Sequence, residues 1–384
     1  MRSYSHLWDK FISPDNYRLA VKNATKHKGG AKRKYRKAQY YKNHAEELMP
    51  EVLHYAENFH NEHHEPKLIN DGISKKQREI LVPSMREQVV HHMIVNVMKP
   101  IILKPMYEHS YGSLPGRGAT KGKNLKTHGG KEAVEKYIRR HPKDCKYCLK
   151  MDIHKFFDSV PHDKLKAMFT RIIHDERFLA VLHILVDANG KEVGMPIGFY
   201  TSQWFANFYL TGLDHYIKEV LHAKGYFRYM DDMVIFDGNK RRLHKIKDEI
   251  ERYLNEELGL ELNPKWQVFL FHYVAKDGTE RGRFLDFMGF RFYWNRTTLR
   301  RALMLRATRK ARKICKKTKK GKKTVYDCQQ MLSYKGWITP TDTYGMYRKW
   351  IKPYVSFRNC RRKIAMNAKM GEKKKCGTKT KTAV

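Results

Sequence analysis

Acidic residues are scarce in this sequence: 39 Asp and Glu stand against 78 Lys and Arg, for a formal charge of +39 over 384 residues. That imbalance is more than solubility requires and points to a polyanionic partner. Long apolar runs are missing too. The longest nearly uninterrupted one, Phe178 to Val186 around His183, falls well short of the roughly 20 residues that cross a bilayer. No membrane span is expected, and nucleic acid is the favoured polyanion, because neutralised phosphates release counterions whatever the base sequence. The first ten residues lack the basic-then-apolar layout of a secretory signal, so a cytoplasmic location is expected. Cysteine is sparse, with six in the whole chain, and in that compartment these read as reduced thiols. Cys145-Lys146-Tyr147-Cys148 has the gap of a zinc half-site, but no second half follows it, and ordinary thiols are expected. In His60-Asn61-Glu62-His63-His64-Glu65, adjacent histidines point in different directions, so a solvated surface segment is expected. No repeat of solenoid period occurs.

What is present falls into three stretches. Residues 1–66 are basic and aromatic, with Lys26, Lys28, Lys32, Arg33, Lys34, Arg36 and Lys37 around Gly29-Gly30, and read as helices joined by a flexible turn. Residues 67–295 alternate between strand and helix patterns. They include the apolar Ile80-Leu81-Val82, a helix over Arg86 to Met98, a Gly-rich loop from Tyr111 to Gly118, and a strand over Cys148 to Ile153. A helix follows Pro161, another spans Thr201 to Leu221, two short strands flank Met230-Asp231-Asp232, and a hairpin pairs Val268–Tyr273 with Phe284–Trp294 about Lys276-Asp277-Gly278-Thr279. Residues 296–384 are basic and helical. From Arg300 to Lys323 there is no acid; Leu299, Leu303, Leu305 and Ile314 lie among the arginines, as on a helix packed on one side and charged on the other. From about Lys316 the run reads as a solvated tail, and past Lys369 as disordered. Trp337, Tyr344, Tyr347, Trp350, Tyr354 and Phe357 are expected to build the core of this last stretch rather than to stack on bases.

Two segments carry chemistry. In Leu149-Lys150-Met151-Asp152-Ile153-His154-Lys155-Phe156-Phe157-Asp158 an apolar strand delivers Asp152 at its end. In Phe227-Arg228-Tyr229-Met230-Asp231-Asp232-Met233-Val234-Ile235-Phe236 two carboxylates sit at a tight hairpin tip between strand formers. An Asp-Asp pair alone is usually a polar turn. Here it has company: the lone Asp152 upstream, and between them Gly194-Met195-Pro196-Ile197-Gly198-Phe199-Tyr200-Thr201-Ser202-Gln203, opening an aromatic helix. Glycines let backbone approach a substrate, and a helix N-terminus favours phosphate. Converging aspartates suit Mg²⁺, a hard ion that prefers oxygen, and two such ions about 4 Å apart are what phosphoryl transfer from a nucleoside triphosphate needs.

Tyr229-Met230-Asp231-Asp232 resembles the signature hairpin of reverse transcriptases, and Asp152 with Phe156-Phe157 resembles their first catalytic strand. The resemblance implies an α+β right-hand polymerase: fingers and palm, the palm an antiparallel sheet plus helices, over 67–295, a basic N-terminal arm over 1–66, and a helical thumb with a disordered tail over 296–384. It implies a metal site of Asp152, Asp231, Asp232 and the Ile153 carbonyl, holding two Mg²⁺ ions with Mn²⁺ as a substitute. Phe157 would then screen out the ribose 2′-hydroxyl. Leu258-Gly259-Leu260-Glu261-Leu262-Asn263-Pro264-Lys265 resembles the motif whose lysine protonates departing pyrophosphate, which makes Lys265 a catalytic candidate. Lys75 to Ser84 resembles a bacterial fingers segment, with Arg78 as triphosphate ligand beside Ile197 and Gly198. Phe284 to Phe292 resembles the primer grip, so Gly289, with Tyr229, Met230, Arg306 and Arg309, would meet primer and template. Where many relatives have Gln-Gly-x-x-x-Ser-Pro, this chain has Ile197-Gly198-Phe199-Tyr200-Thr201-Ser202-Gln203, as in the error-prone enzymes of diversity-generating retroelements. Template RNA, an RNA/DNA duplex, dNTPs and an accessory protein are the implied partners. A phage-defence reverse transcriptase copying its own non-coding RNA is a rival of the same class, and an inactive RNA-binding scaffold is one of another class.

Overall fold

The computed structural model describes residues 3–26, 28, 35–70, 77–120 and 129–379, with the side chains of Asn70 and of 369–379 excepted. The Gly29-Gly30 turn, Lys75 and Lys76 lie outside the described residues, as does the side chain of Cys376. The chain divides into two units, residues 1–115 with 147–268 and residues 116–146 with 269–384.

The first unit opens with four helices: α1 (Trp8–Phe11), α2 (Pro14–Thr25), α3 (Arg36–Asn43) and α4 (Ala45–Glu57). Ser13 caps α2 through the Asn16 amide, and Phe11, Tyr17, Ala20, Val52 and Ala56 are fully or almost fully buried in the same core as the later elements. An antiparallel hairpin follows, β1 (Lys67–Asn70) with β2 (Gln77–Ile80), Lys67 opposite Ile80. Helix α5 (Met85–Leu103) starts at a capping box, Ser84 with Glu87. It continues through Pro100, well beyond the Met98 end that periodicity suggests, because Val89, Val90, Met93, Ile94, Val97, Met98, Ile101 and Ile102 keep one apolar surface buried and packing outweighs the local cost of proline.

The Gly-rich segment contains a short strand, β3 (Ser110–Tyr111). Helix α6 (Gly130–Arg140) belongs to the second unit. Back in the first come β4 (Tyr147–Asp152), α7 (Phe156–Ser159), α8 (His162–Thr170), α9 (Glu176–Val186), α10 (Tyr200–Tyr209), α11 (Thr211–His215), β5 (Gly225–Tyr229), β6 (Asp232–Asp237) and α12 (Lys240–Tyr253). The single helix expected over Thr201–Leu221 is thus interrupted at Leu210. The chain passes from the first unit to the second along β7 (Gln267–Leu270). Sheet order is β3-β5-β6-β4-β7, with β3 parallel to β5 and β6 antiparallel to both β5 and β4. Leu149, Tyr226, Phe227, Met233, Val234, Ile235 and Phe236 are wholly buried; consecutive buried positions mean that both faces of these strands are covered, which is why they read as unbroken apolar runs.

In the second unit the long hairpin foreseen from Val268 to Trp294 is replaced by two smaller structures. A two-stranded hairpin, β8 (Tyr273–Val274) with β9 (Glu280–Arg281), closes over the Lys276–Thr279 turn. Then β10 (Leu285–Phe287), β11 (Phe290–Phe292) and β12 (Thr297–Leu299) form their own antiparallel meander, so Phe284–Trp294 folds on itself at Met288-Gly289, both with positive φ, as a two-residue hairpin turn demands.

Helices α13 (Arg301–Lys319), α14 (Val325–Ile338), α15 (Tyr344–Trp350) and α16 (Phe357–Lys379) complete the chain. From Lys316 the run is solvated as expected, with Lys316, Lys319 and Lys320 exposed, but α13 carries it as helix to Lys319; past Lys369, where disorder is expected, the backbone is helical to Lys379. For α13 the cause is visible, since buried Asp327, at the N-terminus of α14, accepts from Lys310 and Lys317 at 3.0 Å each. The aromatic-core expectation also fails in part. Ala307, Ala311, Ile314, Cys328, Met331, Ile351 and Cys360 form the fully buried set, whereas Tyr344 is 65 % and Trp350 39 % exposed. Leu305, too, is exposed rather than packed. Cys145, Cys148, Cys328 and Cys360 are buried free thiols, and burial pushes Cys145 up to about 12.

Candidate active site

The β5–β6 hairpin closes through only two residues, Met230 and Asp231, between the paired Tyr229 and Asp232. Asp232 is also the register partner of Asp152 across β4–β6, and directly opposed residues on antiparallel strands hold their Cβ atoms roughly 5 Å apart on one face. The sheet therefore places the three aspartates at one strand end. Burial pushes the Asp231 carboxyl above its ordinary range, and the Asp152 charge pushes it further, against the opposing pull of its own backbone N–H, Arg78 and Arg228. Like charges gathered under desolvation are unfavourable until a cation neutralises them. A carboxylate-only donor set of this kind fits a hard divalent ion.

Asp152 is held from behind. The Asn263 amide donates to its Oδ2 at 2.9 Å, and the Asn263 backbone N–H donates to its carbonyl at 2.9 Å. Asn263 Oδ1 in turn accepts from the N–H of exposed Lys265 at 3.1 Å. Because successive carbonyls along a strand alternate in direction, the Ile153 carbonyl faces away from the Leu262 bridge and towards the hairpin side. Lys150 Nζ lies 3.6 Å from Asp232 Oδ2.

The nucleotide-binding candidates are joined to one another by backbone. Met195 N–H donates to the Phe157 carbonyl at 2.6 Å, and Leu81 N–H donates to the Ile197 carbonyl at 2.9 Å. Arg78, on β2, is exposed, yet its charge reaches Asp231. Gly198 has φ +118°, and a Cβ there would lie 2.1 Å from the Leu81 carbonyl oxygen, so no other residue fits. Phe157 is half-buried, edge-on to Phe156 at 5.6 Å. Gly289, Arg306 and Arg309 belong to the second unit; Gly289 is hemmed in by Leu303 and Trp337, Arg306 is half-buried and Arg309 exposed.

Three residues that sequence reasoning passed over belong to this site's support: Asn263, Asp214 and Arg228. Only Arg228 gave a signal, as a lone cation in an otherwise apolar strand. The segment expected to be solvated is so at His60, His63 and Glu65 but not at His64. His64 Nε2 meets Glu87 Oε2 at 2.5 Å with side chains 5 % and 0 % exposed, and Glu62, 2.9 Å from Arg86, joins them in a group with metal-ligating atoms within 4.8 Å of one another. The carboxylates there are already met by the Ser84 and Glu62 N–H groups, His64 and Arg86, which is a hydrogen-bonded staple of the 59–65 segment onto α5.

The stretch that carries these residues resembles known proteins. Positions 66–292 match the family described as reverse transcriptase (RNA-dependent DNA polymerase). The chain is 28 % identical over 163 residues to an uncharacterized 91 kDa protein in cob intron of Schizosaccharomyces pombe, covering 40 % of this chain and 19 % of that protein. It is 27 % identical over 229 residues to the retron Ec48 reverse transcriptase of Escherichia coli, covering 58 % and 51 %. The chain thus spans about half or less of the length of these relatives. Among solved structures, apo telomerase of Candida tropicalis superposes with a TM-score of 0.43 at 15 % identity, over 62 % of this chain and 55 % of that one.

Proposed function

This chain belongs to the reverse transcriptase (RNA-dependent DNA polymerase) family, and on that premise we propose that it copies an RNA template into DNA at the Asp152–Asp231–Asp232 cluster. The observation that carries the reading is the register that pairs Asp152 with Asp232 beside the half-buried Asp231, a carboxylate group that is costly without cations. Asp152, Asp231 and the Ile153 carbonyl would hold two Mg²⁺ ions, with Asp232 completing the charge. Bound there, the ions supply activation of the primer hydroxyl and stabilisation of the departing pyrophosphate. Arg78 would bind the triphosphate, Phe157 would exclude a ribose 2′-hydroxyl, and Lys265 would give its proton to the leaving oxygen. Tyr229 and Met230 would flank the primer end. In the second unit Gly289, Arg306 and Arg309 would meet the duplex, and the exposed basic side of α13 would follow its phosphates. Primer extension on an RNA template with Mg²⁺ and dNTPs tests this: wild type extends and Asp231→Ala does not. Equal extension by both overturns it.

The finer reading is a diversity-generating retroelement enzyme. Ile197 stands where a glutamine could hydrogen-bond near the incoming nucleotide, and an aliphatic side chain leaves mispairs less restrained. Sequencing cDNA made by wild type and by Ile197→Gln should show fewer errors at adenines in the variant; identical error spectra overturn it. Similarity to the retron Ec48 and Ec73 reverse transcriptases favours a second reading, a defence enzyme copying its own non-coding RNA. RNA recovered with the purified protein separates the two, by whether it derives from a repeat-flanked template region.

A further inference from the structure

Behind the hairpin lies a charged pair with no share in the chemistry just described. Arg228 and Asp214 are both completely buried, their side chains 0 % exposed. The guanidinium grips Asp214 through Nε to Oδ1 at 2.7 Å and Nη2 to Oδ2 at 2.5 Å. Asp214 is itself fixed by the hydroxyls of Tyr226 at 2.7 Å and Ser110 at 2.8 Å. With two of its donors so occupied, Arg228 directs Nη1 to the carbonyl of Met230 at 3.0 Å and to Asn207 Oδ1 at 3.2 Å.

Met230 needs such a hold. It occupies the first tip position with φ +56°, a conformation that this turn normally gives to glycine and that a methionine adopts only when its surroundings enforce it. Its N–H is taken by the Tyr111 carbonyl at 3.0 Å, its sulfur meets Asn207 at 3.3 Å, and its carbonyl is taken by Arg228. Rotation about that peptide is what would swing Asp231, the next residue, away from Asp152.

We propose that Arg228, locked by Asp214, is the positioning residue of the hairpin: by holding the Met230 carbonyl it aims Asp231 at the metal ions. The proposal rests on the polymerase reading, since it presumes that Asp231 binds cations. A lone unpartnered charge could unfold the protein, so the informative variant is Asp214→Asn with Arg228→Gln. It removes both charges, leaves one amide oxygen to accept from Tyr226 and an NH2 to donate to the Ser110 hydroxyl, and shortens residue 228 so that it cannot span Asp214 and Met230 together. Arg228→Lys, with one donor head, is the conservative partner.

The measurements are Mn²⁺ titration of the protein by electron paramagnetic resonance, RNA binding, circular dichroism, and primer extension, with Asp231→Ala defining the site-specific part of the Mn²⁺ signal. The expected result for the double variant is a tenfold or greater loss of Asp231-dependent Mn²⁺ affinity and of kcat. Its dNTP KM should stay within threefold, because the Arg78, Phe157 and Ile197 groups are untouched, and its RNA binding and spectrum should be unchanged. Arg228→Lys should fall between. Wild-type Mn²⁺ affinity and kcat in the double variant would overturn the proposal, and so would loss of fold and RNA binding together, which would make the pair merely structural. If instead Asp231→Ala binds Mn²⁺ like wild type, the metal-site reading itself fails, a result visible without either Arg228 variant.

Discussion

Replacing Gly198 by alanine should separate nucleotide capture from overall stability. Its φ of +118° excludes ordinary side chains, and the added Cβ would sit 2.1 Å from the Leu81 carbonyl oxygen, more than an ångström inside normal contact. The loop must lift off, losing the hydrogen bond from Leu81 to the Ile197 carbonyl at 2.9 Å. An alanine held at this positive φ still carries about 1–3 kcal/mol of backbone strain, and the lost bond costs about 0.5–1.5 kcal/mol more. Together these come to about 1.5–4.5 kcal/mol against the productive arrangement, or roughly 10- to 1000-fold in apparent dNTP affinity at about 1.4 kcal/mol per decade. Steady-state extension against dNTP concentration reads the effect as a KM rise of about tenfold or more, while RNA binding is retained. Gly190→Ala is the control: its φ is also positive, at +66°, but nothing lies within 4 Å, so KM should not move. A Gly198→Ala enzyme whose dNTP KM stays within threefold of wild type would refute the reasoning, and with it the idea that Ile197 and the strand of Arg78 act as one unit.

Other outcomes follow from single contacts. Asn263→Ala frees Asp152 Oδ2 of its 2.9 Å donor and should slow extension about tenfold, a typical effect of losing a partner that orients a ligand; RNA binding by gel shift should not change. Burial raises the Asp327 carboxyl, but bonds from Lys317, Lys310 and Thr324 outweigh that and hold it well below the usual range. A lowered folded value means that its contribution is present above the unfolded pKa of about 3.9 and fades as pH falls below it. Asp327→Asn should therefore melt a few degrees below wild type at pH 7, and the gap should close below about pH 4; a gap constant with pH would contradict this. If eight or so phosphates are neutralised, RNA affinity should drop about 10³- to 10⁵-fold between roughly 50 and 200 mM salt, and a flat filter-binding response would remove the explanation given for the charge.

Much of this protein could be read from its residues. The aspartates of the candidate site, the strands that carry them and the Gly-rich approach loop were legible because an apolar run ending in Asp, and a two-residue turn between strand formers, are local patterns with few alternatives. The capping boxes at Ser84 and Thr324 are local signals too, but a reading by periodicity passed over them. Tertiary structure decided the rest. Whether α5 stops near Pro100 depended on what lay against Ile101 and Ile102, and whether Lys310 and Lys317 waved in solvent depended on an aspartate later in the chain. Glu62 and His64 read as solvated until Glu87 was seen beneath them. Arg228 is the sharpest case: a cation in a buried strand is uninterpretable until the fold brings Asp214 and the Met230 carbonyl to it. Local sequence sets backbone preference and burial periodicity, whereas the partner of a buried charge is chosen by long-range packing, and that is why the carboxylates could be named in advance but not what aims them.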